Sequence, residues 1–319
     1  MDKTCVTVLM GGPDAEREVS LDSGTRVAEA LEADERMQVV RRVLDRPDES
    51  ELRKMLIEDG AHVVFPVLHG IWGEGGPLQS MLQSIGVPYV GSGPQAAQKA
   101  MHKLRTKSLA LEHAIPTPQA RAVMPDQPVD LQPPLVVKPI EEGSSVGVYI
   151  CFEPEEVTEA VAKLLTTHPH IMCERYIKGR ELTVGILGDQ PLVPIEIKPH
   201  EGVYDYESKY ERDDTGYEID PPLSDGLRSR LASWSAEISR LLGVRDLARV
   251  DWRVDGEEAW LLEVNTMPGM TSHSLLPKAA AAAGIDMTPL CVGLVDRALA
   301  RSTGSWAASV HPTGSPSRK

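Results

Sequence analysis

The sequence lacks the features that would assign it to several large classes of protein. No run reaches the roughly eighteen apolar residues of a membrane span, and the first apolar run stops at Gly11 without a basic segment before it. The four cysteines form no Cys-x-x-Cys pair and no metal-binding spacing, which suits a reducing compartment. Neither G-x-G-x-x-G nor a Walker A motif is present, which argues against a dinucleotide-binding fold and a P-loop enzyme. We therefore expect a soluble, cytoplasmic protein with no membrane partner.

Positive charge is also scarce. The 319 residues include 33 lysines and arginines against 47 aspartates and glutamates, a formal net charge of −14. This excess disfavours nucleic acid as a partner, and a specific anion would need a local basic pocket. The length allows about two ordinary domains, and the 41% of hydrophobic residues indicates a globular chain.

The stretch from Arg249 to Leu275 carries the strongest signal for a functional site. Its first segment, RVDWRVD, alternates strictly, so its charged residues face one way and its apolar residues the other. The run AWLLEVN follows, with Glu263 and Asn265 predicted on the same face as Ala259 and Leu261. The Asp-Gly pair between the runs is a turn signal, so the two runs predict a hairpin.

The loop length of this hairpin sets which residues face each other. We predict a three-residue loop at 256–258 whose glycine supplies a positive φ. This loop places Asp251 opposite Glu263 and Arg249 opposite Asn265, and a two-residue loop would break the alignment.

Opposed carboxylates in the hairpin indicate a cation, because they repel each other unless one lies between them. Asp251, Glu263 and Asn265 offer only hard oxygen ligands. Such ligands favour Mg²⁺, held by a few protein oxygens and completed by phosphate oxygens. The alternative is a solvated, charged strand face, and the spacing alone does not decide between the two.

The segment TMPGMTSHS after the hairpin is too rich in Pro, Gly and hydroxyl residues to continue a strand. A helix is predicted from Leu275 to Gly284, capped by Ser272 or Ser274, with its free N–H groups pointing back at the acids. Such a helix start can bind anions.

Two side chains at the carboxyl ends of predicted strands mark a second candidate region. Glu16 follows the strand CVTVLMGG, and His69 follows HVVFPVL. Open α/β sheets bind ligands at this end of their strands. The alternatives are a first-turn Glu favoured by the helix dipole and a structural His. The two units predict a small parallel-sheet domain over residues 1–93.

Three lysines of interest lie in the middle of the chain, and one of them precedes a candidate phosphate-binding loop. One helix is predicted from Pro94 to Ile115, on which Lys103 and Lys107 share a face, usually a sign of solvated charge. Lys138 lies on the strand LVVKP, directly before the loop EEGSS. Backbone N–H groups in such a loop can approach phosphate oxygens while the lysine supplies a point charge.

Further binding residues are expected around these elements. Glu174 and Glu181 lie at strand ends, where carboxylates suit the amino and hydroxyl donors of a nucleotide, although a surface Glu is the default reading. The long polar segment 201–223 has no periodicity and contains three closely spaced tyrosines, Tyr204, Tyr206 and Tyr210. A segment of this kind is usually a lid or binding loop.

The motifs AEREVSLDSG, LHG, PYVGSG, KPIEEGSSVGV, GRELTVGILG, YDYESKY and LLEVNTMPGMTSHSL occur in this order. With them the sequence resembles the ATP-grasp ligases, and most closely the D-alanine:D-alanine ligase family, from about Val6 to Ala300. The resemblance implies an α/β (α+β) ATP-grasp fold, with an N-terminal parallel-sheet domain at 1–93 and two domains, 94–180 and 181–301, that sandwich ATP. The last domain would carry the lid loop and the magnesium site. The Ser/Gly/Pro-rich tail 302–319 would be disordered and dispensable.

The resemblance also implies roles for individual residues. The catalytic groups would be Glu16, Ser144, Tyr210, Arg249, Gly269 and Ser274. The nucleotide would be bound by Lys103, Lys138, Glu174, Ile177, Glu181 and Lys209. The D-alanine substrates would be bound by Glu16, His69, Ser274 and Leu275, and Mg²⁺ by Asp251, Glu263 and Asn265.

The implied activity is the ATP-dependent ligation of two D-alanines to D-alanyl-D-alanine through an acyl phosphate, in peptidoglycan precursor synthesis. The cofactors would be ATP and one or two Mg²⁺ ions, replaceable by Mn²⁺, and the assembly would be a homodimer. Tyr210 matches the position where Tyr accompanies dipeptide synthesis and Phe accompanies ester synthesis with D-lactate. The alternatives are a related ligase with another acceptor, such as D-lactate, and a non-catalytic ATP-binding regulator. A regulator need not keep the metal and oxyanion residues together. The sequence departs from the family pattern at Pro13, Asp14, Gly75 and His102.

Overall fold

The computed structural model describes residues 3–124, 129–143, 146–198, 216–302 and 306. Within these ranges the chain forms three sheets, with strand orders β2-β1-β3, β4-β7-β5-β6 and β10-β9-β8-β11-β12. The first sheet is parallel, and the pairs in the other two are antiparallel. This confirms the predicted α/β class with an N-terminal parallel sheet.

The first sheet forms because its central strand is apolar over nearly its whole length. From Cys5 onward the central strand is buried, as parallel strands covered on both faces are. Its strands are β1 (Thr4–Gly11), β2 (Met37–Leu44) and β3 (Val63–Pro66). Its helices are α1 (Arg17–Glu32), α2 (Glu49–Glu58), α3 (Gly70–Glu74) and α4 (Pro77–Ile85). Glu16 and His69 occupy the N-cap positions of α1 and α3, at the carboxyl ends of β1 and β3 as predicted.

The second part of the fold corrects one prediction. The segment predicted as one helix from Pro94 forms two, α5 (Pro94–Met101) and α6 (Lys103–Glu112). They meet at His102, whose extended backbone at φ −84° and ψ 91° ends one helix and starts the next. The remaining elements here are β4 (Ala120–Ala122), β5 (Leu135–Pro139), β6 (Tyr149–Cys151), α7 (Pro154–Leu165) and β7 (Ile171–Arg175).

The third part contains the five-stranded sheet and the last helices. Its strands are β8 (Arg180–Leu187), β9 (Gln190–Lys198), β10 (Gly216–Ile219), β11 (Leu247–Asp255) and β12 (Glu258–Asn265). Its helices are α8 (Asp225–Leu242), α9 (Leu275–Ala282) and α10 (Met287–Ala300). Helix α8 has a sequence-encoded start and stop, because the Ser224 hydroxyl accepts the Leu227 N–H at 3.1 Å and Gly243 supplies φ +81°.

The hairpin of β11 and β12 has the predicted pairing but a different turn. Asp251 pairs with Glu263 and Arg249 with Asn265. The turn has two residues, Gly256 at φ +57° and the next residue, so the predicted three-residue loop is wrong. A β-bulge between the two halves of the ladder adds the missing residue and restores the alignment.

The bulged residue is Leu262, and it changes which side chains of β12 share a face. Before the bulge, Ala259 and Leu261 are buried in the core behind the sheet. After it, Glu263 faces the cleft on the opposite side. The prediction that Glu263 shares a face with Ala259 and Leu261 is therefore wrong, because one extra residue inverts the alternation.

The last described helix and Trp306 pack onto the first part of the chain. Helix α10 contributes Leu290, Leu294 and Val295 to the same buried cluster as β1 and α1. Trp306, inside the tail predicted to be disordered, is 3% exposed in a second cluster formed by the first part of the chain. Its indole N–H donates to the Ala61 carbonyl at 2.7 Å. The disorder prediction is therefore wrong at Trp306, and the rest of the tail after Ser302 lies outside the described residues.

In the described ranges no single helix is both long and apolar enough to cross a bilayer. Helices α9 and α10 reach that length and composition only as a pair bent by 102°.

Candidate active site

A deep cleft lies between the four-stranded sheet and the five-stranded sheet. The predicted nucleotide and metal residues that line it are Lys103, Lys138, Glu174, Ile177, Glu181, Asp251 and Glu263. They come from both sheets and from the start of α6, so the fold brings together residues that are up to 160 positions apart (263 − 103). The bulged Leu262 also lines this cleft.

Two residues that line the cleft, Lys138 and Glu174, form a buried cluster with Lys107, which does not line it. Lys138 on β5 lies 2.5 Å from one oxygen of Glu174 on β7, and Lys107 on α6 lies 2.7 Å from the other. Burial alone would raise the pKa of Glu174, but the two ammonium groups lower it to about 2. Burial lowers the pKa of Lys107 to about 8, against the pull of Glu174. Lys107, predicted to be solvated, is instead buried and ion-paired.

Each of the two opposed acids of the hairpin pairs with a basic side chain of the protein. Arg249 binds Asp251 through two hydrogen bonds of 2.9 and 2.8 Å, and the Thr183 hydroxyl donates to Asp251 at 2.7 Å. Glu263 pairs with Lys103 at 3.1 Å. These contacts neutralise part of the negative charge of the two opposed carboxylates.

The donor set of this site fits Mg²⁺ bound together with a nucleotide. Asp251, Glu263 and Asn265 supply carboxylate and amide oxygens, and Asn265 Oδ1 also accepts the Met267 N–H at 3.0 Å. Among the described residues no three His, Cys, Asp or Glu side chains are placed so that they could hold a metal ion by themselves. A cation here would therefore need further oxygens from a ligand such as a phosphate, the usual arrangement for Mg²⁺.

A smaller pocket adjoins the cleft and reaches the first part of the chain. Its lining includes Glu16, Lys103, Arg249, Glu263 and Asn265 from the predicted set. Gly143 lies beside Glu16, because a Cβ at Gly143 would lie 3.1 Å from a Glu16 carboxylate oxygen. The structure thus brings Glu16 and Arg249 next to the predicted nucleotide and metal residues, whereas His69, Gly269, Ser274 and Leu275 do not line this pocket.

Glu74 is a member of this pocket that the sequence does not reveal. It is 5% exposed and accepts the Gly70 N–H at 3.3 Å through one oxygen, while its other oxygen is buried without a hydrogen-bond partner. Burial raises the pKa of Glu74 well above its usual value, and the nearby charge of Glu16 adds to this shift. The signal available in the sequence, a Glu in the glycine-rich turn IWGEGG, does not distinguish it from a surface Glu.

His69 has a structural partner in the described part of the chain. Its ring nitrogen Nδ1 lies 3.1 Å from the Met267 carbonyl, which fixes the N–H on Nδ1. Burial lowers the pKa of His69, and its Nε2 atom is buried without a hydrogen-bond partner. The ring is therefore neutral, and a contact with substrate stays a prediction.

The loop after β12 places Gly269 and Ser274 against each other. A Cβ at Gly269 would lie 2.7 Å from the Ser274 hydroxyl, so only glycine fits there. Ser274 is the N-cap of α9 as predicted, but its hydroxyl accepts the Thr271 N–H at 2.9 Å and makes no cap bond. The Leu275 side chain is buried, so a substrate contact there would use its backbone N–H.

Two departures from the family pattern have local structural partners. Asp14 accepts the Trp72 N–H at 3.0 Å, which joins the glycine loop after β1 to α3. His102 accepts the Arg105 N–H at 3.3 Å at the start of α6. Ser144, Lys209 and Tyr210, three predicted site residues, lie outside the described residues.

The fold and the cleft define an ATP-grasp protein. Within this class the chain belongs to the D-alanine–D-alanine ligase family: the family model for the D-ala D-ala ligase C-terminus matches residues 111–296, and that for the N-terminus matches residues 43–92. The predicted family is thereby confirmed.

Individual relatives agree over nearly the whole chain. The D-alanine–D-alanine ligase of Acinetobacter baumannii strain AYE is 38% identical over 302 residues, which cover 92% of this chain and 96% of the relative. The ligase of Syntrophotalea carbinolica is 38% identical over 298 residues, 92% and 95% of the two chains. The crystal structure of the Bacillus anthracis ligase complexed with ATP has a TM-score of 0.81 at 29% identity, covering 93% and 98% of the two chains. The Coxiella burnetii ligase structure also has a TM-score of 0.81, at 25% identity, covering 95% of each chain.

Proposed function

We propose that this chain is an enzyme that joins two molecules of D-alanine to D-alanyl-D-alanine and converts ATP to ADP and phosphate, for peptidoglycan precursor synthesis. The observation that carries the proposal is the junction of two pockets. The cleft lined by Lys103, Lys138 and Glu263 opens beside the pocket lined by Glu16 and Arg249. A phosphate held in the first would lie next to a carboxylate held in the second.

The reaction needs ATP because a carboxylate is a poor acyl donor. In the proposed sequence one carboxylate oxygen of the first D-alanine attacks the γ-phosphorus, forming an acyl phosphate and releasing ADP. The neutral amine of the second D-alanine then attacks the acyl carbon, and phosphate leaves with that carboxylate oxygen. Negative charge builds in both steps, so fixed positive groups and hydrogen-bond donors would accelerate them.

The nucleotide half of the site would act through positioning and charge. We assign phosphate binding to Lys103 and Lys138, and ribose binding to Glu181. Adenine binding is assigned to Glu174 and Ile177. Arg253 binds one oxygen of the Glu181 carboxylate at 2.9 Å, and Glu181 lines the cleft. Asp251, Glu263 and Asn265 would hold Mg²⁺, which would supply positive charge to the phosphate oxygens.

The amino-acid half would bind and orient the two substrates. Glu16 would bind the ammonium of the first D-alanine, with His69 near its carboxylate. Arg249 and the Gly269 N–H would stabilise the oxyanion of the tetrahedral adduct. The start of α9, at Ser274 and Leu275, would bind the second D-alanine, because free N–H groups at a helix start attract a carboxylate.

The lid residues complete the proposal from the family pattern. Tyr210 would hydrogen-bond with Glu16 and Ser144 and favour a dipeptide over an ester with D-lactate, and Lys209 would face the phosphates. We also propose a cytoplasmic homodimer. Light scattering coupled to size-exclusion chromatography tests the assembly, and a monomer throughout the micromolar range would contradict it.

The test of the function is phosphate release from ATP and Mg²⁺ with D-alanine, L-alanine or D-lactate supplied in turn. We expect release with D-alanine alone, together with D-alanyl-D-alanine found by chromatography. An equal mixture of D-alanine and D-lactate should yield mainly the dipeptide. Release that is independent of amino acid, or an ester as the main product, would contradict the proposal. ATP binding without turnover would favour a regulator instead.

A further inference from the structure

The Lys107 ammonium makes three polar contacts within the protein, whereas the ammonium of a solvated helix lysine would contact water. Its ammonium lies 2.7 Å from Glu174, donates to the Thr117 hydroxyl at 2.9 Å and lies 3.4 Å from the Leu261 carbonyl. These three contacts surround the ammonium, and its side chain is 3% exposed. Lys107 is absent from the lining of the cleft, so it would act on a ligand only through its neighbours.

Lys138 differs from Lys107 in this respect. It lines the cleft, and Glu174 is its one hydrogen-bond acceptor within the described ranges. Two of its three donors thus remain for a ligand. The two lysines share one carboxylate, each taking a different oxygen of Glu174.

The charge balance of this cluster decides how much positive charge the cleft presents. Two ammonium groups and one carboxylate leave a net charge of +1 in a buried place, where opposite charges attract strongly. Without Lys107 the cluster would be neutral, and Lys138 would be the sole counter-ion of a buried Glu174. A phosphate would then compete with Glu174 for Lys138, and the buried carboxylate would repel it.

We propose that Lys107 is a positioning residue that neutralises Glu174 so that the charge of Lys138 remains available to the phosphates of the nucleotide. The inference rests on the proposed binding of ATP in this cleft. It predicts that the effect of Lys107 depends on Glu174 and is confined to ligands that carry phosphate. A lysine that merely braces α6 against β12 would instead affect all ligands alike and independently of Glu174.

The experiment measures binding of ATP with Mg²⁺ and of adenosine by calorimetry to the full-length protein. Five proteins are compared: wild type, Lys107→Met, Glu174→Gln, the double variant Lys107→Met/Glu174→Gln, and Lys99→Met. Lys99 is an exposed lysine on the neighbouring helix α5, so its loss makes the same change in charge without touching the cluster. Thermal melts establish that each variant is folded at the assay temperature.

We expect Lys107→Met to weaken ATP binding about tenfold or more while adenosine binding changes less than about threefold. In the Glu174→Gln background the same change should alter ATP binding less than about threefold, since no carboxylate is left to neutralise. Lys99→Met should match wild type. Equal weakening of ATP and adenosine, or the same loss in both backgrounds, overturns the inference.

The double variant keeps the test decisive even if Lys107→Met does not fold. Its cluster again has a net charge of +1, carried by Lys138 alone, so its ratio of ATP to adenosine affinity should stay within about threefold of wild type. A tenfold fall in that ratio overturns the inference. Failure of wild type to bind ATP at all would instead contradict the proposed function.

Discussion

Glu263 is the residue whose removal best separates metal binding from folding. It pairs with Lys103 at the edge of the cleft, and a quarter of its side chain is exposed, so Gln should be tolerated by the fold. Losing a carboxylate from the proposed Mg²⁺ site should lower Mg²⁺-dependent turnover by about 10²-fold or more, because electrostatic groups of this kind typically contribute that much. Phosphate release over a Mg²⁺ titration, with a thermal melt of the same sample, measures both effects.

The matched control is Glu258→Gln on the same strand. Glu258 is exposed at the turn end of β12, away from the cleft, so this variant should turn over at the wild-type rate. Wild-type turnover in Glu263→Gln would remove Glu263 from the proposed site.

Glu74 gives a prediction about pH and stability. Its pKa is raised in the folded state by burial and by Glu16 and Glu263, while Arg249 and the Gly70 N–H act in the opposite direction. Folding therefore favours the protonated form, so the stability that Glu74 contributes is present below its unfolded pKa of about 4.5 and is lost as the pH rises through the folded pKa. Glu74→Gln cannot ionise and escapes this loss.

We expect the melting temperature of Glu74→Gln to rise relative to wild type as the pH increases from about 4.5 to 8. Melts in a pH series give this difference directly. A difference that stays constant over the series would mean that Glu74 is ionised in the folded protein.

The sequence allows some residues of the candidate site to be predicted but not others. Asp251, Glu263 and Arg249 could be predicted because alternation and turn signals are local and their family motif is long. Lys107 and Glu74 could not, since nothing in their own segments records that distant strands cover them. Burial of a charge is a tertiary property, and helix spacing alone describes a lysine as solvated.

At the scale of elements, the pairing of the β11–β12 hairpin was predicted correctly, but its loop length was not. The count of residues between Asp251 and Glu263 requires one extra residue, and sequence parity does not say whether it lies in the turn or in the strand. The structure puts it in the strand, at Leu262, which the bulge directs into the cleft. The break of α5 and α6 at His102 escaped prediction for a similar reason, because the surrounding residues are all compatible with one helix.

The bulge leads to a prediction about adenine binding. Leu262 contributes an apolar surface to the cleft, so Leu262→Ala should weaken ATP and adenosine binding by a similar factor of about ten, as expected for the loss of a few buried carbon atoms. This pattern differs from the phosphate-selective loss expected at Lys107. Calorimetry with both ligands separates the two, and unchanged adenosine affinity would show that Leu262 does not contact the base.

At the scale of the whole molecule, helix α10 and Trp306 pack against the first part of the fold. Helix α10 packs against α1, and Arg301 at its end binds Asp246, which also accepts the Gly91 N–H at 2.7 Å. A composition rich in Ser, Gly and Pro predicts disorder for the tail. Composition does not show that a single Trp in the tail packs against residues far away in the sequence.

Trp306 therefore gives the prediction for overall stability. Trp306→Ala should lower the stability of the protein by about 3–5 kcal/mol, the usual cost of removing a buried aromatic side chain. Removing residues 307–319, which leaves Trp306 in place, should have little effect. Denaturant titrations of both proteins test this, and equal stability of Trp306→Ala and wild type would contradict the packing of Trp306 against Ala61.

The arrangement of the two pockets implies that a carboxylate oxygen of D-alanine must leave with the phosphate. D-Alanine labelled with ¹⁸O in its carboxylate, incubated with ATP, Mg²⁺ and the protein, therefore tests the account most directly. Mass spectrometry should find one labelled oxygen in each phosphate released, in step with formation of D-alanyl-D-alanine. Dipeptide formed with unlabelled phosphate, or phosphate released without dipeptide, would contradict the proposed ligation through an acyl phosphate.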